Sequence, residues 1–212
     1  MAHPRDSDAT RARLICAATT EFAEYGIAGA RVDRIAANAG ANKAQIYHYF
    51  GSKDQLFDAV WETMTQRFFT DSPVVADDLP GYAAHLIDVY ADQPEVGRLI
   101  AWHRLERTGD AEPGFPGATM QQQIASIAAA QAAGTVPDDL PAAVLFALVL
   151  TIATMWHNLS PTLLGVIGVD DHAQRKAIVC DAVTRLITAS GSHTTPTGMT
   201  RRANVRPPNP LS

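Results

Sequence analysis

Apolar residues recur at three- and four-residue spacing through nearly the whole chain, and no stretch sustains the two-residue alternation of a half-buried strand. The fold class this dictates is all-α. The most demanding segment is short: Val32, Ile35, Ala36 and Ala39 stand at i, i+3, i+4 and i+7 and are followed by Gly40. So few residues cannot hold a helix in water alone, because fixing the first turn costs more than the few backbone bonds recover. The segment must pack on neighbours, and the sequence supplies them on both sides. A helix over about Asp8 to Tyr25 buries Ile15, Phe22 and several alanines and stops at Gly26, where a left-handed position is expected. A further helix, Lys43 to about Phe50, is capped by Asn42 and turns Ile46 and Phe50 inward. Two short helices meeting across a tight glycine-containing turn are what a helix-turn-helix looks like in sequence.

Ser52-Lys53-Asp54-Gln55 then reads as a capping box opening a fourth helix to about Phe69. Leu56, Val60, Met64 and Phe68 form one apolar line on it, and Phe57 and Trp61 a second. A face that wide needs two sets of neighbours, so this helix joins two domains. The expected organisation is a helix-turn-helix head over residues 8–53, the connecting helix over 52–70, and a larger helical body over 71–190. Within the body, helices are expected near 79–91, 95–107, 118–133, 139–158 and 170–188, with a Gly/Pro-rich loop from Thr108 to Gly117. The tail over 191–212, rich in Pro, Thr and Arg, reads as disordered.

Composition narrows the setting. With 47% hydrophobic and 18% charged residues the chain has a core to build. The run from Ala142 to Ile152 is well short of the roughly 20 residues that span a bilayer, so no membrane partner is expected. MAHPRDSDATR lacks the pattern of a secretory signal, and two isolated cysteines suggest no oxidising compartment, which together point to the cytoplasm. The net charge of −5 looks unsuited to a polyanion, but it is unevenly spread. Residues 1–60 carry seven Lys+Arg against seven Asp+Glu, residues 61–190 seven against fifteen, and residues 191–212 three against none. The acidity belongs to the body, and the amino-terminal part is free to place local cations against phosphates.

If Ile46 and Phe50 face inward, Lys43, Ala44, Gln45, Tyr47 and His48 fan over the remaining surface of the third helix. A cation, an amide and a small apolar group are what base edges and phosphates in a major groove call for. The stretch RVDRIAANAGANKAQIYHYFGSKDQLF resembles the DNA-binding signature of the TetR family of bacterial transcription regulators. The resemblance covers about residues 8–70, with Ile46-Tyr47, Tyr49-Phe50, Ser52-Lys53 and glycines 26 and 40 in register. It implies that Lys43, Ala44 and Gln45 approach bases, that Tyr47, His48, Tyr49 and Lys53 reach phosphates, and that the backbone at Arg31 and Val32 lies near a phosphate. The family often has threonine where this chain has Arg31 or Val32, and neither of these can cap a helix. Two side chains read two ways: Gln45 stands three residues after Asn42 and suits a capping box as well as a base, and Tyr49 shares a flank with the core.

For the body, the same resemblance implies a homodimer through the last two long helices and a small-molecule effector, the whole being a repressor on a palindromic operator in double-stranded DNA. Trp102, His103, Met120, Gln123, Trp156 and His157 are the candidate pocket residues, two Trp-His pairs together with two residues of the helix near 118–133. No cofactor is implied, and His48 has no histidine or carboxylate at i+3 or i+4 to form a metal pair. The competing readings are a helical-bundle binding protein or enzyme with no DNA role, and a module that only recruits protein. The enzyme reading lacks a G-x-S-x-G elbow, a G-x-x-x-x-G-K-[ST] loop and an H-E-x-x-H pair.

Overall fold

In the computed structural model, residues 4–107 and 117–188 are described, and every regular element among them is helical. Helix α1 runs Pro4–Gly29, with non-helical backbone at Gly26 (φ 68°, ψ −178°). The break falls where the sequence places the end of the first helix, but one more helical turn follows it. Helices α2 (Val32–Asn38) and α3 (Lys43–Phe50) are the two short helices. Helix α4 spans Lys53–Asp71. A 3-10 turn, Ala76–Asp78, leads into α5 (Leu79–Asp92), and α6 is Pro94–Glu106. Beyond the undescribed stretch come α7 (Gly117–Ala132), α8 (Ala142–Ala153), α9 (Met155–Asn158), α10 (Pro161–Ile167) and α11 (His172–Thr188).

Two apolar clusters organise these helices. The first gathers Leu14, Phe22, Ile35, Ile46 and Phe57, with Leu99 arriving from α6. Phe22 and Phe57 meet edge-on at 5.2 Å between ring centroids, which locks α1 to α4. The second gathers Phe69, Leu86, Ile127, Phe146, Val149, Val179 and Val183. Helix α4 feeds the first cluster with Leu56 and Val60 and the second with Phe69, which is the double duty its wide apolar face demands.

Three expectations need correction. The helix expected over 139–158 is broken at Thr154 (φ −95°, ψ 1°) into α8 and α9. The Thr154 hydroxyl donates to the Leu150 carbonyl at 2.9 Å, a back-bond of the kind that bends helices. Helix α10 was not expected. Ser160 accepts the Leu163 N–H, Pro161 occupies the first turn and Gly168 closes the helix in the left-handed region, so its start and stop signals are all present. At α4, Ser52 accepts the Gln55 N–H at 3.1 Å, but no return bond from the Gln55 side chain is formed among the described residues, which leaves a half box. The expected loop from Thr108 lies outside the described residues up to Gly117, which opens α7, and the tail over 191–212 lies outside them altogether.

Candidate nucleic-acid interface and effector cavity

Helix α3 is built to show one face. Asn42 accepts the Gln45 N–H at 2.9 Å, and the Gln45 side-chain oxygen accepts the Asn42 N–H at 3.0 Å, so both halves of the capping box form. Ile46 is sealed at 0% exposure and Phe50 at 7%, which fixes the helix's rotation. Lys43, Ala44, Tyr47 and His48 are left exposed together, and Gln45 and Tyr49 are half-buried. Gln45 therefore serves its helix cap in this state, and its amide N–H2 is the part left for another partner. Tyr49 turns toward α1, its hydroxyl 3.2 Å from the Ser7 hydroxyl.

The remaining head residues are more constrained than the sequence suggests. Lys53 donates to the carbonyls of Ala28 and Ala30, each at 3.3 Å, and so satisfies the end of α1. Arg31 precedes α2 in extended backbone without a side-chain cap, and Val32 is half-buried. The capping role falls instead to Glu21 on α1, which is 4% exposed and accepts the Arg31 N–H at 2.8 Å. The same carboxylate accepts from Arg34 Nε at 2.8 Å. Burial alone would raise the Glu21 pKa, but the Arg34 and Arg31 hydrogen bonds and charges outweigh it and hold it below its ordinary value. The Arg31 side chain lies 3.9 Å from Asp33, whose other oxygen meets Lys43.

Two cavities stand out among the remaining described residues. The larger, about 740 Å³, lies between α1 and α4–α6 and is lined by charges of both signs, including Arg11, Arg67, Asp71 and Glu95. The smaller, about 230 Å³, lies among α4–α9 and is lined by Trp61, Phe68, Phe69 and Tyr90, among others, with no carboxylate. His103, Met120 and His157 of the sequence candidates line the smaller cavity. His103 is buried with its ring stacked on Trp61 at 3.8 Å.

Trp102, Gln123 and Trp156 line neither cavity. Trp102 faces α1 and donates its indole N–H to the Ala23 carbonyl at 3.3 Å. Gln123 is buried, bonding the Val74 N–H and the Phe69 carbonyl, and so fastens α7 to the end of α4. Trp156 is buried in the body core with Arg175 over its ring at 5.3 Å. Adjacent positions on a helix point about 100° apart, and here each Trp-His pair divides, with the histidine toward the cavity and the tryptophan toward another neighbour.

This arrangement has close counterparts among known proteins. Residues 14–60 match the model described as bacterial regulatory proteins, tetR family, and residues 78–185 match the tetracyclin repressor-like C-terminal domain. Over 154 residues the chain is 41% identical to the HTH-type transcriptional repressor SCO4008 of Streptomyces coelicolor, covering 70% of this chain and 79% of that protein. The chain belongs to the TetR family. The solved structure of the Streptomyces coelicolor regulator SCO4942 superposes with a TM-score of 0.74 at 35% identity, covering 84% of this chain and 98% of the other. The regulator FadR from Bacillus subtilis, solved in complex with stearoyl-CoA, shares the fold at 15% identity, with a TM-score of 0.61 and coverage of 84% and 97%. This TetR-family protein is accordingly a DNA-binding transcriptional regulator of a ligand-responsive class, not an enzyme. No helix among the described residues is long and apolar enough to cross a membrane.

Within the TetR frame, three residues matter that the sequence reading passed over. Glu21 supplies the cap that the family's threonine would give. Asp33 holds Lys43. Glu106, at the end of α6, accepts the N–H groups of Ile27 and Ala28 at 3.1 and 3.2 Å, just past the break in α1. Next to it Arg107 bonds Asp58 of α4 at 2.8 Å, so the last turn of α6 grips both α1 and α4. Only Glu21 left a trace in sequence, as a carboxylate beside an otherwise apolar helix face.

Proposed function

We propose that this protein is an effector-controlled repressor that binds a palindromic operator as a homodimer. The observation that carries the reading is the exposed face of α3, where Lys43, Ala44, Tyr47 and His48 stand together on a capped helix anchored from behind by Ile46 and Phe50. In this reading Lys43, Ala44 and the free amide N–H2 of Gln45 approach base edges. Tyr47, His48 and the Arg31–Val32 backbone meet phosphates, and Tyr49 and Lys53 brace the head and touch phosphate at most through a remaining donor. The head is residues 8–53, joined by α4 to a regulatory and dimerising body over 71–190. Such a protein acts in the cytoplasm, where its DNA is.

Dimerisation is assigned to α8 and α11, which pack together and leave Val144 45% and Ile178 37% exposed. Large apolar side chains exposed on such helices are surface that a second copy covers. A two-fold related pair with reading heads about 34–36 Å apart fits successive major grooves on one face of B-DNA. The effector site is the 230 Å³ cavity, with His103, Met120 and His157 in its wall. Control follows if the effector prefers a conformation in which the heads no longer match that spacing, since only differential affinity shifts the population. The grip of Trp102, Glu106 and Arg107 on α1 and α4 is the connection through which a shift of α6 moves a head. Titration of purified protein against a labelled operator at several salt concentrations tests the reading. Two chains per duplex and salt-sensitive binding are expected, and one chain per duplex or salt-independent binding contradicts it.

A further inference from the structure

The cavity among α4–α9 is one-sided in its chemistry. Trp61, Phe68, Phe69 and Tyr90 give it aromatic walls, which favour a flat ring in offset or edge-on contact. Its neutral polar groups offer more acceptors than free donors, so they do not by themselves select an anion. The Trp61 indole N–H is buried and finds no acceptor among the described residues. The hydroxyls of Thr65, Thr151 and Thr154 already donate to helix carbonyls four residues back. Asn158 spends one amide hydrogen on Thr154 and keeps its oxygen as an acceptor.

Charge makes the selection. Arg104 is the one permanently charged side chain among the lining residues, and no Asp or Glu lines the cavity. Its guanidinium is near enough to bear on Tyr90, whose phenol burial pushes up to about 12 and whose rise Arg104 opposes. His157 is held toward its neutral form, first by partial burial and then by the charge of Arg175. A cationic ligand would meet a positive charge with no counter-charge, whereas an anion would find a guanidinium.

Size sets the rest. A dry apolar cavity of about 150 Å³ accepts benzene, so about 230 Å³ holds one ring with a short substituent and not a long acyl chain. We propose that the effector is a small aromatic acid whose ring lies against the Trp61 and Phe68 walls and whose carboxylate is drawn to Arg104. This rests on the reading of the cavity as the effector site, and it names the class of molecule that site takes.

The test uses four probes with one ring and different charge: benzoate, benzamide, benzylamine and benzene, each titrated into the purified full-length protein by calorimetry and by thermal shift. Benzoate is expected to bind at least about tenfold tighter than benzamide, with benzylamine weakest. Arg104→Gln should remove the preference for benzoate over benzamide. Benzylamine binding as tightly as benzoate, or a benzoate preference that survives Arg104→Gln, overturns the proposal. If benzene stabilises the protein and benzoate does not, the cavity stands and the acid class is wrong. If no probe binds, or if binding is indifferent to Leu150→Trp, which fills the cavity, then the effector-site reading beneath the proposal fails.

Discussion

The Lys43 ammonium lies 2.5 Å from Oδ1 of Asp33, so the cation at the tip of α3 is held by a carboxylate in the first turn of α2. Both side chains are about half exposed, at 54% and 52%, and such a pair contributes little to stability. Its consequence is for binding. A phosphate must draw Lys43 away from Asp33 and then tolerate the carboxylate nearby. Asp33→Asn is expected to tighten operator binding by roughly two- to fivefold at low salt. Lys43→Ala should weaken binding and lower the salt slope by about one unit. In the Lys43→Ala background the Asp33→Asn gain should shrink, which fluorescence anisotropy at several salt concentrations measures directly.

Glu21 gives the head a pH dependence. Its folded pKa lies below the ordinary glutamate value of 4.5, so between the two values the unfolded chain binds more protons. The stability it contributes is complete above that ordinary value and is lost as pH falls through the folded pKa. Glu21→Gln should cost roughly 1–3 kcal/mol at neutral pH, less than for a fully buried pair because Arg34 is partly exposed. It should also flatten this part of the acid limb. Urea unfolding at pH 7 and across the acid limb checks both, and an unchanged acid limb removes Glu21 from the role.

Gln45 separates capping from reading. Gln45→Glu keeps an acceptor for the Asn42 N–H and removes the amide N–H2, so the fold should hold within about 0.5 kcal/mol. If the amide reads a base, preference at one operator position should relax at a cost of about 1–3 kcal/mol. If it only caps, base preferences stay as they are, apart from a uniform loss due to the added negative charge.

Gly26 sets the approach of α6 to the head. Its φ of 68° disfavours any side chain, and a Cβ there would sit 2.6 Å from the Glu106 carboxylate and 2.8 Å from the Trp102 ring. Gly26→Ala is expected to destabilise the protein by more than about 1 kcal/mol. Glu106→Gln is the milder probe: its amide oxygen retains one acceptor for the two N–H groups. The expected outcome is near-normal operator binding and weakened release by the effector, and full release in Glu106→Gln would remove that contact from the coupling.

Much of the head was legible in the sequence because its signals are local. The stripe Val32-Ile35-Ala36-Ala39, the Asn42 cap, Gly26 and the inward pair Ile46-Phe50 each report structure within a few residues. What escaped is tertiary. Spacing along the chain does not bring Glu21 to Arg31, Lys53 to the end of α1, or Glu106 to Ile27 across 79 residues. The six candidate pocket residues divide for the same reason. His103 and His157 face the cavity, while their neighbours Trp102 and Trp156 face α1 and the body core. Helix α10 was missed despite clear caps, because seven residues give too little periodicity to register.

The measurement that bears most directly on α3 as the reading element is selection of bound duplexes from a random pool by the purified protein, followed by titration of the winner with wild type and Lys43→Ala. The account predicts an inverted repeat with half-site centres about one helical turn apart, 10–10.5 base pairs or a multiple, and salt-sensitive binding that the substitution weakens. Recovery of no preferred duplex, or of one that Lys43→Ala binds as tightly as wild type at every salt concentration, would contradict it.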